Sequence, residues 1–244
     1  MKNRLDQTLV GLALVPTRSQ AESYIRLGKV TVNKKVITKP GTMVTVDDKI
    51  LLNVTEQYVG RAGLKLASVA QVLSIDFRDK TVLDVGSSTG GFTDYALKHG
   101  AKLVLAVEVG TDQLHPSLHG NSRIQLYEKT DIRDFKTTET IDIVVIDVSF
   151  ISLREILPTV AKLSNKSTQV VAMVKPQFEA IKSNVKHKGV IKNDKMRRDI
   201  LKDFEYWATT IGSFRIINKS DSEVHGAKGN RERFYMLSPL SKVL

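Results

Sequence analysis

The 244-residue sequence predicts an α/β protein in which a small N-terminal α+β unit precedes a doubly wound, mostly parallel sheet. Three observations carry that prediction. Residues 4 to 54 place two helical patterns ahead of β-branched alternation. From Lys80 onward, short β-rich runs recur at separations long enough for crossover helices. The first of those runs ends in a glycine-rich turn that opens a helix, "VLDVGSSTGGFTD". The expected boundaries are 1–57 for the small unit, 58–79 for a linker and the first helix of the larger unit, and 80–244 for the sheet and its helices.

In the small unit, "RLDQTLVGLAL" spaces Leu5, Leu9 and Leu12 along one helix face. "TRSQAESYIRLG" begins a second helix, with Thr17 as N-cap and Gly28 as its stop, because a hydroxyl can accept from an orphaned N–H and glycine tolerates the left-handed exit. "KVTVN" and "VITKPGTMVTVDDKILL" follow as strands, with turns at Lys34-Lys35 and Pro40-Gly41. Residues 1 to 60 hold nine basic against five acidic side chains, a net +4. Arg4, Arg18, Arg26, Lys29, Lys34 and Lys35 are the candidates there for contact with an anionic polymer.

The larger part reads as alternating strands and helices. "TVLDVG", "KLVLAVEV", "RIQLYEK", "IDIVVIDVSF" and "STQVVAMVKP" are the strands, and "SFRIINKS" with "ERFYMLSP" adds a terminal hairpin. Such sheets bind ligands beyond the carboxyl ends of their strands, which makes Asp84, Glu108, Asp147 and Lys175 candidates.

The glycine-rich turn limits what is bound. A phosphate-binding G-x-x-x-x-G-K-[ST] loop laid on Gly86 and Gly91 puts Phe92 where its lysine belongs. A dinucleotide fingerprint starting at Gly86 puts Ser88 where the backbone must approach a pyrophosphate. ATP and NAD are therefore disfavoured, and S-adenosylmethionine, which has no phosphate, is the expected cofactor. Its candidate cradle is Asp84, Gly86, Ser87, Ser88, Thr89, Gly90, Gly91 and Phe92. Glu108, 22 positions after Gly86, stands where a carboxylate accepts ribose hydroxyls, and Asp131 is placed to meet the adenine amino group.

Composition narrows the partners. With 37 Lys+Arg against 26 Asp+Glu the formal charge is +11, which suits a polyanion. Residues 182 to 202 alone carry eight basic and two acidic side chains, which on a helix or loop beside the cleft would hold a polyanion's backbone and equally fit an ordinary polar helix face. The chain has no cysteine, and its five histidines form no metal-binding pattern, so no metal is expected. No run approaches the ~20 apolar residues of a membrane span. The apolar stretch Leu9 to Val15 follows Asp6 and precedes polar "PTRSQ", so it reads as a helix of a cytoplasmic protein and not as a signal peptide.

Two resemblances add to this reading. Arg4-Leu5-Asp6, the Thr17 to Ile25 segment and Gly28 to Asn33 are similar to the S4 domain, which implies binding to structured RNA. "YVGRAGLKL", "LDVGSSTGGFTD", "VEVG", "IDVSFISL", "VKPQFE" and "GAKGNRERF" resemble, in order and spacing, the TlyA family, an S4 domain joined to an FtsJ-like ribosomal RNA 2′-O-methyltransferase. The resemblance implies a Rossmann-like methyltransferase sheet, ribosomal RNA or ribosomal subunits as partner, and a cytidine 2′-hydroxyl as target. It also places a Lys-Asp-Lys-Glu tetrad at Lys65, Asp147, Lys175 and Glu232.

That tetrad suits the chemistry. A ribose hydroxyl is a poor nucleophile that needs in-line placement and a base. A lysine serves as base only if its pKa falls, which burial and a neighbouring cation promote. Lys175 is the expected base because Pro176 ends its strand, with Lys65 as the neighbouring cation. Asp147 would position the lysines near the methyl donor, and Glu232 would orient Lys65. Three residues depart from the family pattern: Ala62 for glycine, Glu108 for aspartate, and Arg233 for an apolar residue after Glu232. Two other readings stand beside the enzyme: an inactive RNA-binding or ribosome-assembly protein, and a membrane-acting haemolysin, a label the family has carried.

Overall fold

The computed structural model describes residues 2–181, 189–210, 214–226 and 228–240, which fall into two compact units, Met1–Arg61 and Ala62–Leu244. In the first unit, β1 (Asn3–Arg4) leads into α1 (Leu5–Gly11) and α2 (Arg18–Arg26). β2 (Val30–Val32), β3 (Lys35–Val36), β4 (Met43–Val44) and β5 (Ile50–Leu52) follow. β2 is the centre of a three-stranded antiparallel sheet with β3 and β5, whereas β4 pairs with β1.

Local chemistry accounts for most of these boundaries. Thr17 Oγ1 accepts from Gln20 N at 3.2 Å and starts α2, and Gly28 leaves it at φ +68°. Two sequence expectations change. α1 buries Leu5 and Leu9 but ends after two turns, so Leu12 falls beyond it and is 55% exposed. The hairpin tip is Asn33-Lys34, one residue earlier than expected, with both φ positive at 51° and 67°. Asparagine suits the first of those positions. It also accepts from Lys49 N at 2.9 Å and donates to Asp48 at 2.6 Å, which ties the tip to the loop before β5.

The second unit begins with α3 (Arg61–Ala70) and then alternates: β6 (Thr81–Val85), α4 (Gly91–Lys98), β7 (Leu103–Val107), a 3₁₀ turn at Pro116–Leu118, and β8 (Ile124–Tyr127). After it come β9 (Ile143–Ile146), α5 (Leu153–Leu163), β10 (Gln169–Val174), α6 (Pro176–Glu179), α7 (Asp194–Thr210), β11 (Phe214–Asp221) and β12 (Arg233–Pro239). These strands form one seven-stranded sheet in the order β8-β7-β6-β9-β10-β12-β11. The first five are parallel, and β12 inserts antiparallel between β10 and β11.

Every residue of β6 and β9 is buried, as expected of strands covered on both faces. Each buried valine or isoleucine there contributes about 1.5–3 kcal/mol, so the strand ends are set by a stiff frame. The first strand, β6, has β7 on one side and β9 on the other, and its connections diverge at that point. A crevice opens beyond the carboxyl ends at such a switch. Because β12 runs the other way, it starts at that same edge, with Arg233 opposite Val174. Glu232, just before β12, is thereby carried to the edge where Asp147 and Lys175 leave β9 and β10.

Candidate active site

A cavity of about 440 Å³ lies at this edge, and its walls include Gly86, Ser88, Glu108, Asp131, Asp147 and Phe150. Gly86 sits at φ +80°, and a Cβ there would come within 3.0 Å of the Asp147 carbonyl oxygen. The strand exit therefore admits only glycine without displacing its neighbour. Glu108 braces the opening with both carboxylate oxygens, accepting from Ser88 N at 2.9 Å and Gly110 N at 2.8 Å.

The remaining turn residues shape the cavity without lining it. Gly90 (φ +84°) leaves room for Leu114 and Leu118, whose methyl groups a Cβ would meet at 2.7 and 2.5 Å. Gly91 faces Ala62, whose Cβ would be 2.8 Å from an added Cβ, so the alanine at that family position is accommodated by the opposing glycine. Phe92 is a core residue against Phe234, centroid to centroid 6.0 Å. Ser87 is buried, and Thr89 is exposed outside the cavity wall. Neither Phe92 nor Thr89, both candidates for the cofactor cradle, is among the residues that line the cavity. In turn, Gln113, Thr130, Ile132 and Ser149 line it. Sequence pattern does not single them out, although Ser149 and Phe150 lie in the loop leaving β9, where such sheets place ligand contacts.

The acids here differ in state. Asp84 is 1% exposed; burial pushes its carboxyl up to about 7, against the Thr93 hydroxyl bond at 2.6 Å and assisted by the charges of Asp147 and Glu108. Its Oδ1 has no hydrogen-bond partner. Asp131 is held low, chiefly by the hydrogen bond from the Arg133 side chain, which lies 2.6 Å away. It reaches the cavity with both oxygens already engaged by Arg133.

The four tetrad positions form two ion pairs. Lys175 Nζ is 2.6 Å from Asp147 Oδ1, off the hydrogen-bond direction, and donates to Ser149 Oγ at 2.7 Å. Lys65, from α3, pairs with Glu232 at 2.5 Å. Both lysines are buried, and each faces a carboxylate. Gly226 makes room for this second pair, since a Cβ there would lie 2.7 Å from Glu232 Oε1. Arg233, the departure after Glu232, points to the other face by strand alternation and binds Asp221 at 2.6 Å, where Arg197 also binds at 2.7 Å. Lys175 Nζ lies 5.9 Å from the centre of the Phe178 ring, on which Phe150, 88% exposed at φ +67°, packs at 5.3 Å.

In the first unit the six basic candidates separate into two groups. Arg4 and Arg18 each reach buried Asp6 at 2.8 Å, which ties both to the fold while the Arg18 side chain stays exposed. Arg26, Lys29, Lys34 and Lys35 are exposed. Of the basic segment 182–202, residues 182–188 and with them His187 lie outside the described residues, while Lys192, Lys195, Arg198 and Lys202 are exposed. Among the described residues no group of three His, Cys, Asp or Glu side chains is placed to hold a metal. Among them, too, no helix is long and apolar enough to cross a membrane.

The FtsJ-like methyltransferase family matches residues 58–238, and the S4 domain matches residues 3–50. The 16S/23S rRNA (cytidine-2′-O)-methyltransferase TlyA of Mycobacterium tuberculosis is 35% identical, over 96% of this chain and 89% of its own. The 23S rRNA (cytidine-2′-O)-methyltransferase TlyA of Campylobacter jejuni is 39% identical, over 80% of this chain and 77% of its own. Among solved structures, a protein from Streptococcus thermophilus named as a hemolysin is 34% identical with a TM-score of 0.73, covering 98% of this chain and 89% of that one.

Proposed function

The chain belongs to the FtsJ-like methyltransferase family and carries an S4 domain, and from that premise we propose that it methylates a ribose 2′-hydroxyl, a cytidine's, in ribosomal RNA with S-adenosylmethionine as donor. The observation that carries the reading is the pair of lysine–carboxylate contacts, Lys175–Asp147 and Lys65–Glu232, at the sheet edge that bears the cavity.

The residues present fit the donor. Glu108 offers a braced carboxylate for paired hydroxyls, and Asp84 offers a buried oxygen without a partner. Gly86 brings bare backbone to the wall, and Val85, Val107 and Ile132 make it apolar. When bound, S-adenosylmethionine supplies an electrophilic methyl group on a sulfonium. This chain's residues do the rest. Ser149 and Asp147 hold the Lys175 amine, the proposed acceptor of the proton from the 2′-oxygen as that oxygen attacks. Lys65, held by Glu232, supplies a fixed positive charge. The S4 domain and the exposed lysines of the catalytic unit hold the RNA.

Substitution at Lys175 tests the assignment. Lys175→Ala should keep both ligands and lose methyl transfer by roughly 10²–10⁴-fold. Lys175→Arg retains the charge but stays protonated, so near-full single-turnover activity in that variant would reduce Lys175 to an electrostatic clamp. Mapping 2′-O-methyl groups in RNA from cells with and without the protein tests the target: a modified nucleotide other than cytidine would overturn that part. RNA binding without any donor binding in calorimetry would leave an assembly protein instead.

A further inference from the structure

We propose that Glu179 is a positioning residue for methyl transfer: its buried carboxylate clasps the segment after Asp147 to the helix after Lys175, and so fixes the geometry of that pair. The inference rests on the role given above to Lys175.

The β9–β10 ladder pairs Ile143 to Ile146 with Gln169 to Ala172, so Asp147 and Lys175 stand just beyond it. Neither of the segments that follow is self-supporting. The first passes through Phe150 at φ +67°, a left-handed conformation that is strained for a bulky residue and persists only when its surroundings over-determine it. The second is α6, a single four-residue turn, too short to be stable alone. A carboxylate joins them, beside the ring contact of Phe150 with Phe178. Glu179, 1% exposed at the end of α6, accepts from Ser152 Oγ at 2.6 Å and from Leu153 N at 2.7 Å. Ser152 in turn caps α5 by accepting from Arg154 N at 3.2 Å.

The arrangement is costlier than packing requires. A buried carboxylate is unfavourable unless it is paired and hydrogen-bonded, and an apolar residue would fill the space. Here burial pushes the Glu179 carboxyl up, while the Ser152 and Leu153 bonds and the Arg154 charge oppose that shift. Arg154 Nε is 3.5 Å from Glu179, and its guanidinium continues to Asp203 at 2.6 Å and lies 5.7 Å from the Trp207 ring. The carboxylate contributes two directional bonds at a helix start, which apolar contact cannot supply. Between those bonds and Asp147 lies Ser149, the hydroxyl that receives Lys175 Nζ at 2.7 Å. Glu179 thus acts on Lys175 through Ser149 and touches no reacting group.

The test uses the full chain with Glu179→Gln, Ser149→Ala and the double variant. Hydrogen exchange reads the clasp without any turnover: amides 148 to 153 should exchange about tenfold faster or more in Glu179→Gln, with β6, β9 and β10 unchanged. Equal exchange at Leu153 would overturn the proposal. In single-turnover reactions with saturating ligands, Glu179→Gln should lose about 10- to 100-fold in rate while the donor KM stays within about threefold. The double variant should be no slower than the slower single variant. Losses that multiply would mean that Glu179 does not act through Ser149. If Glu179→Gln does not fold, Glu179→Asp, which keeps the charge on a shorter stem, is read in the same two assays with the same outcomes deciding. A wild-type protein that transfers no methyl group would defeat the proposed function, whereas the clasp would still be decided by exchange.

Discussion

Asp6 and Asp84 are both buried aspartates, and their surroundings drive them in opposite directions. At Asp6 the hydrogen bond from Arg4 leads, with Arg18 adding to it, and together they overcome burial and hold the carboxyl down at about 2. Its folded value lies below its unfolded one, so its stabilisation is full above the unfolded pKa near 4 and is lost as pH falls towards about 2. In the intact protein, exchange protection of α1 and α2 should decline over that acid window, and Asp6→Asn should remove the decline. Asp84 has the reverse sign. Burial raises its carboxyl to about 7, so at neutral pH a substantial fraction is protonated. A cationic methyl donor in the adjoining cavity favours the ionised form, so donor affinity should rise with pH through about 7, with proton release on binding. Calorimetry in buffers of different ionisation enthalpy measures that release; a flat affinity profile that Asp84→Asn does not alter would refute it. Asp147 and Lys175 stand at strand ends that the sequence shows, whereas Lys65 and Glu232 are singled out only by the family resemblance; the structure sets the four as two ion pairs. The double engagement of Asp6 was not legible, since the sequence does not show that Arg18 folds back twelve positions to it.

Elements were legible where one local interaction decides them. Thr17 caps α2 as a hydroxyl before an amphipathic run should, and Thr17→Ala should cost about 1 kcal/mol, read by denaturant unfolding of the intact chain. The exit from β6 was equally readable. Gly86 combines positive φ with backbone 3.0 Å from the site of a Cβ, so Gly86→Val should abolish donor binding, and an unchanged affinity would place the cofactor elsewhere. The short strands were less legible, because a two-residue strand has no periodicity. Met43–Val44 pairs with Asn3–Arg4 through a partner nearly forty positions away that no alternation announces. The cavity wall was half legible for a similar reason. Gly86 and Glu108 lie at strand ends, whereas Gln113 and Thr130 reach the cavity from connecting loops.

For the whole molecule, the net charge of +11 does not say which cations touch RNA, and the structure narrows the choice. Arg4 and Arg18 are paired with buried Asp6, so replacing them would disturb the fold as well as the charge, whereas Arg26, Lys29, Lys34 and Lys35 are exposed candidates outside that cluster. The catalytic unit exposes Lys192, Lys195, Arg198 and Lys202, of which the last three recur along one stripe of α7 at i, i+3 and i+7. Neutralising phosphates releases counterions, so each lost contact should lower the slope of log affinity against log salt by about 0.7–0.9. Replacing the four S4 cations with glutamine should therefore weaken ribosomal RNA binding and flatten its salt dependence by up to about 3.6, while leaving donor affinity unchanged. The same replacement on Lys192, Lys195, Arg198 and Lys202 should produce a smaller change, because a charged stripe on a solvated helix face is commonly just that. Should the second set cost as much slope as the first, RNA is gripped along α7 as well as by the S4 domain. If neither set alters the slope, the RNA path lies elsewhere and the assignment of the S4 cations is wrong.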